Sequence, residues 1–509
     1  MAWLYVAVLA IFGWLMISRR LTATLALPLA ALTLALIALA PQAGSSGVLA
    51  ALSTLIGEVV EPGLTRLTSL IIAVILGAVL AAQMRISGAA ERIVRYGAEY
   101  AGEDQFRLGL LLLAVIAVLF TTLGGLGAVI LAASITLPLM FALGFEPKVA
   151  GGLFLLGLSL GGCLNPVNWQ LYIDVLGLEL QQIVPFAVLL AAIFFLIACG
   201  YLLAYTTSRN TWLRQLLPLG LFLALVTASI IVIVKLEVWD AVKHFLAASM
   251  LAILVALMLI LLLRIFLLLI PRRGSRAGNW LSAQDNWLTC ASILVPLLLL
   301  LWSTLHDNLA GDSARISIPI LTALMAGIAF CALASLTRES GGANNLMRAL
   351  FEGVGQAAPA IVLIIGIGLL LKATSLPEVS GSFTPWLVKL PVGSAPGFVA
   401  IFFLLSPLAL YRGPLNLYGM GSGVVGIISG SAILGTNLIM VAFLSVGMLQ
   451  GVCDPTNTHN VWIANFCKVP VGELTRITLP WVLAIVLLGL AAGAAVFYGS
   501  FDLPQLKPI

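Results

Sequence analysis

Two short polar stretches interrupt strongly apolar runs, and their residue types are suited to binding ions and carboxylates. The first reads Cys163-Leu164-Asn165-Pro166-Val167-Asn168-Trp169 and the second Cys453-Asp454-Pro455-Thr456-Asn457-Thr458. A proline inside an apolar helix removes a backbone hydrogen bond and clashes with the preceding turn. Polar side chains beside it point to unwound backbone lining protein or a water-filled cavity, the places where hydrocarbon depth tolerates non-helical chain. Such breaks in corresponding halves of a chain mark a transporter's binding site.

Each break is preceded by a second polar point, Thr121-Thr122-Leu123-Gly124-Gly125 in one case and Tyr411-Arg412-Gly413-Pro414-Leu415-Asn416 in the other. The spacing is repeated. Gly413 follows Gly125 by 288 residues, Pro455 follows Pro166 by 289 and Cys453 follows Cys163 by 290. A nearly constant offset argues for an internal repeat.

The helix N-termini that begin after each break carry partial positive charge and free N–H groups, which suit a carboxylate, while the freed carbonyls suit a cation. Arg412 carries a planar fork that matches a carboxylate and, placed at membrane depth, needs an anion. The candidate substrate-binding residues are Arg412, Gly413, Asn416, Thr121, Thr122, Gly124, Gly125, Asn165, Asn168 and Asn457. For a coupling ion they are Asp454, Thr456, Asn165 and Asn457, with Asp174 and His459 behind them. Structural readings compete with these. Asp454 can cap the helix that follows it, and Arg412 can cap helix carbonyls.

Composition decides the class. With 61% hydrophobic and 9% charged residues and a mean hydropathy of +1.15, the chain lies far outside the range of soluble domains. Apolar runs of about 20 residues recur from end to end, each long enough to cross a bilayer. The run from Met1 to Ser18 lacks a basic start, and Arg19-Arg20 follow it, so it reads as a first spanning helix and not as a signal peptide. Six cysteines without a C-x-x-C pair imply neither a disulfide nor a metal framework, and no cofactor is expected beyond sodium as a coupling ion. The net charge of +5 comes from short basic loops and is no sign of nucleic-acid binding. Three dispersed histidines, His244, His306 and His459, supply no clustered acid and base, so an enzyme is not expected.

The expected fold is an all-α polytopic membrane protein of two inverted-topology repeats. The first repeat covers 1–206, with a re-entrant hairpin at about 108–145 and a broken helix at about 149–178. A linking helix pair and cytoplasmic loop cover 207–286. The second repeat covers 287–509, with its hairpin at about 397–434 and its broken helix at about 437–466. A polar loop is expected before a helix at 67–84, an amphipathic surface helix at 86–100, a spanning helix at about 358–371, and a Pro-, Ser- and Gly-rich loop after it. Five crossings before the linking pair and two within it make an odd number, so the second half is inverted. This places sixteen Lys and Arg residues inside against seven outside, in agreement with the positive-inside bias.

Hairpins followed by broken helices with Asn, Thr and Pro at their gaps resemble the ion transporter superfamily of secondary carriers. That group includes gluconate, citrate and C4-dicarboxylate permeases. The resemblance implies proton- or sodium-coupled symport of a small organic anion, a carboxylate, across the cell (inner or plasma) membrane. It also implies a homodimer whose mobile transport domain works by an elevator-type motion against a scaffold. Where the sodium/dicarboxylate branch carries Ser-Asn-Thr motifs, this chain reads Thr121-Thr122-Leu123 and Arg412-Gly413-Pro414, which leaves the coupling ion open between proton and sodium. Two other readings stay in view: a sodium/proton antiporter of the same architecture, with Asp454 exchanging cations, and a membrane-embedded enzyme acting on lipid-linked substrates.

Overall fold

The computed structural model describes residues 1–18, 20–101, 104–206, 239–269, 287–309, 315–336 and 342–497, and the regular structure among them is helical throughout. Nine of the described helices are long and apolar enough to span a bilayer, or ten if the bent pair Pro147–Cys163 and Pro166–Leu176 is one span. The protein is an all-α polytopic membrane protein. Of the linking helix pair and cytoplasmic loop expected at 207–286, residues 207–238 and 270–286 lie outside the described residues.

The first hairpin is formed by helices Gln105–Phe120 and Gly125–Ala142. Its ascending helix is capped by the Asp104 carboxylate, which accepts from Arg107 N–H at 2.9 Å. The broken helix runs Pro147–Cys163 and restarts at Pro166–Leu176. Proline stands at the first helical position in both pieces, where its missing N–H would have no partner anyway. The second half repeats the order. Helix Ala395–Leu405 continues as a 3₁₀ segment, Ser406–Arg412, and helix Gly421–Ser431 descends. Helices Thr436–Cys453 and Thr458–Cys467 then flank the second gap, and Val471–Phe497 follows.

Two expected loops are helical. The stretch after Gly47 forms helix Val48–Thr54, a π-helical turn Leu55–Val60 and helix Glu61–Thr65. Its Ser, Thr, Gly and Pro content suggests turns, but Ser and Thr hydroxyls bond back to carbonyls within a helix, as Thr54 Oγ1 does to Ala50 O at 3.1 Å. The Pro-, Ser- and Gly-rich segment likewise contains helix Pro377–Leu387, where Pro377 takes the N-terminal position and Ser380 and Ser382 donate to the carbonyls of Leu376 and Glu378. The helix expected at 358–371 is longer than its apolar core and runs Gly342–Ser375. The amphipathic helix is present at Ala89–Ala101, with Ala89, Ala90 and Val94 buried.

The chain divides into two compact units. One comprises Met1–Val74, Asn168–Phe194 and Ala357–Ile509, and the other comprises Ile75–Val167 and Phe195–Gln356. In the second of these, helix Pro147–Cys163 is buried on all sides from Val149 to Gly157 and packs on the ascending hairpin helix. The approach is close because Gly157 faces Ile116: a Cβ there would lie 2.9 Å from the isoleucine Cγ2. In the first unit, helix Thr436–Cys453 is buried from Ile439 to Val446 and packs on Val471–Phe497. Gly489 and Gly493 serve there, since a Cβ would sit 2.9 Å from Ser445 Oγ and 2.8 Å from Val441 Cγ2. Each gap therefore sits at the C-terminal end of a helix whose central turns are fully buried.

Candidate functional site

In the second gap the residue before proline is driven to extended backbone, and Asp454 adopts φ −70°, ψ 113°, ending the helix at Cys453. Its carboxylate is fully buried. Oδ1 accepts from Thr456 N–H at 2.8 Å and from the Thr456 hydroxyl at 2.7 Å, closing an Asx turn. Oδ2 accepts from the backbone N–H of Arg412 in the hairpin tip at 3.2 Å. Asn457 caps the next helix, its Oδ1 accepting from His459 N–H at 3.3 Å.

The carbonyls that the break releases are taken by side chains. Asn457 Nδ2 donates to Gln450 O at 3.3 Å, the Thr475 hydroxyl to Cys453 O at 2.9 Å and Asn460 Nδ2 to Asp454 O at 2.9 Å. Such internal partners keep unwound backbone stable at membrane depth. Asn460 Oδ1, 3% exposed as a residue, accepts from no group.

The second tip is a tight loop. Tyr411 and Arg412 are both left-handed, with φ 57° and 55°. Asn416 Oδ1 accepts from Tyr418 N–H at 2.9 Å, and the Asn416 carbonyl accepts from the N–H groups of Gly419 and Gly421, each at 2.9 Å. Asn416 Nδ2 is buried without an acceptor. Arg412 is half-buried, and its guanidinium reaches the Tyr418 carbonyl at 3.4 Å. Among the described residues no carboxylate forms an ion pair with it.

The first gap uses the same frame. Asn165 is buried, and its Oδ1 accepts from Val167 N–H at 2.9 Å. Its Nδ2 donates to the tip carbonyls of Phe120 at 3.0 Å and Leu123 at 3.3 Å. Thr121 donates back to Val118 O at 2.7 Å, whereas the buried Thr122 hydroxyl finds no partner. Gly124 and Gly125 are exposed, and Gly125 has φ +81°, a conformation that glycine enters without steric penalty.

The structure thus groups Arg412, Gly413, Asn416, Asp454, Thr456, Asn457 and Asn168 in the unit that holds the second hairpin. Thr121, Thr122, Gly124, Gly125 and Asn165 fall in the unit that holds the first. Asn168 is joined to the second tip by the Tyr418 hydroxyl, which donates to its Oδ1 at 2.8 Å. Asp174 caps another helix: its oxygens accept from Leu70 N–H at 2.9 Å and Gln170 Nε2 at 2.8 Å.

Two polar residues went unselected in the sequence. Tyr418 reads as part of an apolar descent, and Asn460 lies six residues past Asp454, where the one available signal is that a helix's first turn faces back onto its gap. Replacing Tyr418 with phenylalanine keeps the ring and removes the hydroxyl. It is expected to lower stability by about 1 kcal/mol, read as a small fall in the unfolding temperature of the purified protein. An unchanged temperature would show that the Asn168 bond contributes nothing net.

No protein family model matches the chain, and no curated protein matches it. Among solved structures the arrangement of long apolar helices has a similar fold. One similar solved structure is that of the Alcanivorax borkumensis YdaH transporter, described as having an unusual topology. It shares 16% identity and a TM-score of 0.51, with 91% of this chain and 90% of that chain covered.

Proposed function

We propose that the protein is a secondary active transporter that moves a small organic anion, a carboxylate, in symport with protons or sodium ions. The observation that carries the reading is that one loop holds a guanidinium without a counter-ion among the described residues and a buried amide donor without an acceptor. The Arg412 guanidinium has a backbone carbonyl for a partner and no carboxylate, and Asn416 Nδ2 has no partner at all. The Tyr418 backbone joins the two, its carbonyl accepting from Arg412 and its N–H donating to the Asn416 carboxamide. A half-buried guanidinium beside a buried amide donor is suited to a carboxylate, which can receive both.

Asp454, with Thr456 and Asn457 beside it, is the proposed site for the coupling cation, and Asn460 Oδ1 adds an unoccupied acceptor next to it. Asn165, Asn168 and the first tip, Thr121 to Gly125, are the proposed remainder of the substrate path. The repeated order of hairpin, gapped helix and long helix supports an inverted repeat and, with the resemblance to the ion transporter superfamily, an elevator-type mechanism. A homodimer in the cell membrane belongs to the same proposal.

The test is uptake of a panel of labelled organic anions into proteoliposomes, with proton and sodium gradients imposed separately. Gradient-driven uptake is expected, reduced about 10- to 100-fold by Arg412→Gln. Arg412→Lys should rescue it only in part, because an ammonium lacks the fork. Cation flux without anion uptake, equal in native and variant proteins, would overturn the substrate assignment in favour of a sodium/proton antiporter.

A further inference from the structure

The residue before proline occupies the same place in both gaps, and in both it bonds two things: the N–H two residues on, and the backbone of its own hairpin tip. The hydrogen bonds to the tip run in opposite directions. Asn165 donates, through Nδ2, to the carbonyls of Phe120 and Leu123. Asp454 accepts, through Oδ2, from the N–H of Arg412. A carboxamide has one acceptor and one donor group, so Asn165 can receive Val167 N–H and still give to the tip. Both oxygens of a carboxylate can accept, so Asp454 receives Thr456 N–H on one and the tip N–H on the other.

We propose that Asn165 and Asp454 are matched positioning residues, each a clasp that holds its own hairpin tip onto its gap, with the hydrogen-bond polarity reversed between the halves. The two side chains are not interchangeable. Aspartate at 165 would set a carboxylate against two carbonyls, and asparagine at 454 would set an NH₂ group against an N–H. The inference deepens the transport reading and rests on it for what the tips gate, but its geometry is testable without transport.

The experiment measures how fast a membrane-impermeant maleimide modifies a reporter thiol at each tip in the purified full-length protein. Gly124→Cys reports on the first tip and Pro414→Cys on the second; both positions are exposed. Five of the six native cysteines are buried and Cys290 is half-buried, so labelling of the reporter-free protein gives the background. Asp454→Asn is expected to speed modification of the Pro414→Cys reporter at least tenfold and leave the Gly124→Cys reporter unchanged. Asn165→Asp should do the reverse.

Asp454→Ser retains an acceptor for Thr456 N–H while being too short to hold the tip. It should speed the second reporter as Asp454→Asn does, which keeps the test available if the asparagine variant folds poorly. Both reporters quickening in one variant would indicate general loosening and overturn the proposal, as would neither quickening. Failure of anion uptake by the native protein would remove the transport reading and leave the labelling result standing. Unmoved reporters in a protein that transports would remove the clasps alone.

Discussion

Asn165→Leu is expected to destabilise the first hairpin by about 3–5 kcal/mol, among the largest effects of any single substitution here. Leucine nearly matches asparagine in shape, so packing is little disturbed. What is lost is the donor to the carbonyls of Phe120 and Leu123 and the acceptor for Val167 N–H. Asn165 is 6% exposed, so water is poorly placed to replace those bonds. The measurement is thermal unfolding of the detergent-solubilised protein. A native-like unfolding temperature would show that the tip is held by packing alone.

Gly421→Ala is expected to have an effect of similar size, about 3 kcal/mol or more, and to reduce the yield of folded protein. The methyl group would lie 2.8 Å from the backbone N of Asn416. Backbone cannot swing aside as a long side chain can. Gly421 N–H also donates to the Asn416 carbonyl at 2.9 Å, so separating the two segments breaks the bond that sets the loop. Gly447→Ala is the control, because a Cβ there meets nothing within 4 Å and the residue lies inside helix Thr436–Cys453. That change should be neutral or stabilise the helix by up to about 1 kcal/mol. Equal behaviour of the two alanines, in unfolding temperature and in yield of monodisperse protein, would refute the steric account.

The hairpins and gaps were legible in the sequence because their signals are local. Pro166 and Pro455 break apolar runs at a constant offset, and Gly124-Gly125 and Gly413 mark the two turns. The helices at 48–65 and 377–387 were not legible. Glycine, proline, serine and threonine read as turn formers, yet in helices serine and threonine hydroxyls bond back to carbonyls and prolines sit at N-terminal positions, so composition alone misleads. The partners of the candidate residues were hidden for another reason. Asp454 is held from 42 residues earlier by Arg412 N–H, and Asn168 is held from 250 residues later by the Tyr418 hydroxyl. A backbone N–H has no residue identity to recognise, and the sequence could offer Asp454 as an ion ligand or a helix cap but not as a bond to the tip.

The positive φ angles divide unequally between the hairpins. In the first hairpin and the turn that follows it they fall on Gly125 and Gly144, at +81° and +82°, where they are nearly free of penalty. In the second they fall on Tyr411, Arg412 and Ala432, each with a Cβ that makes the same conformation unfavourable by roughly 1–2 kcal/mol. The first hairpin therefore keeps its turns at little local penalty, whereas the second must offset backbone strain at Tyr411, Arg412 and Ala432 with the bonds that its tip makes to Asp454 and within the Asn416 loop.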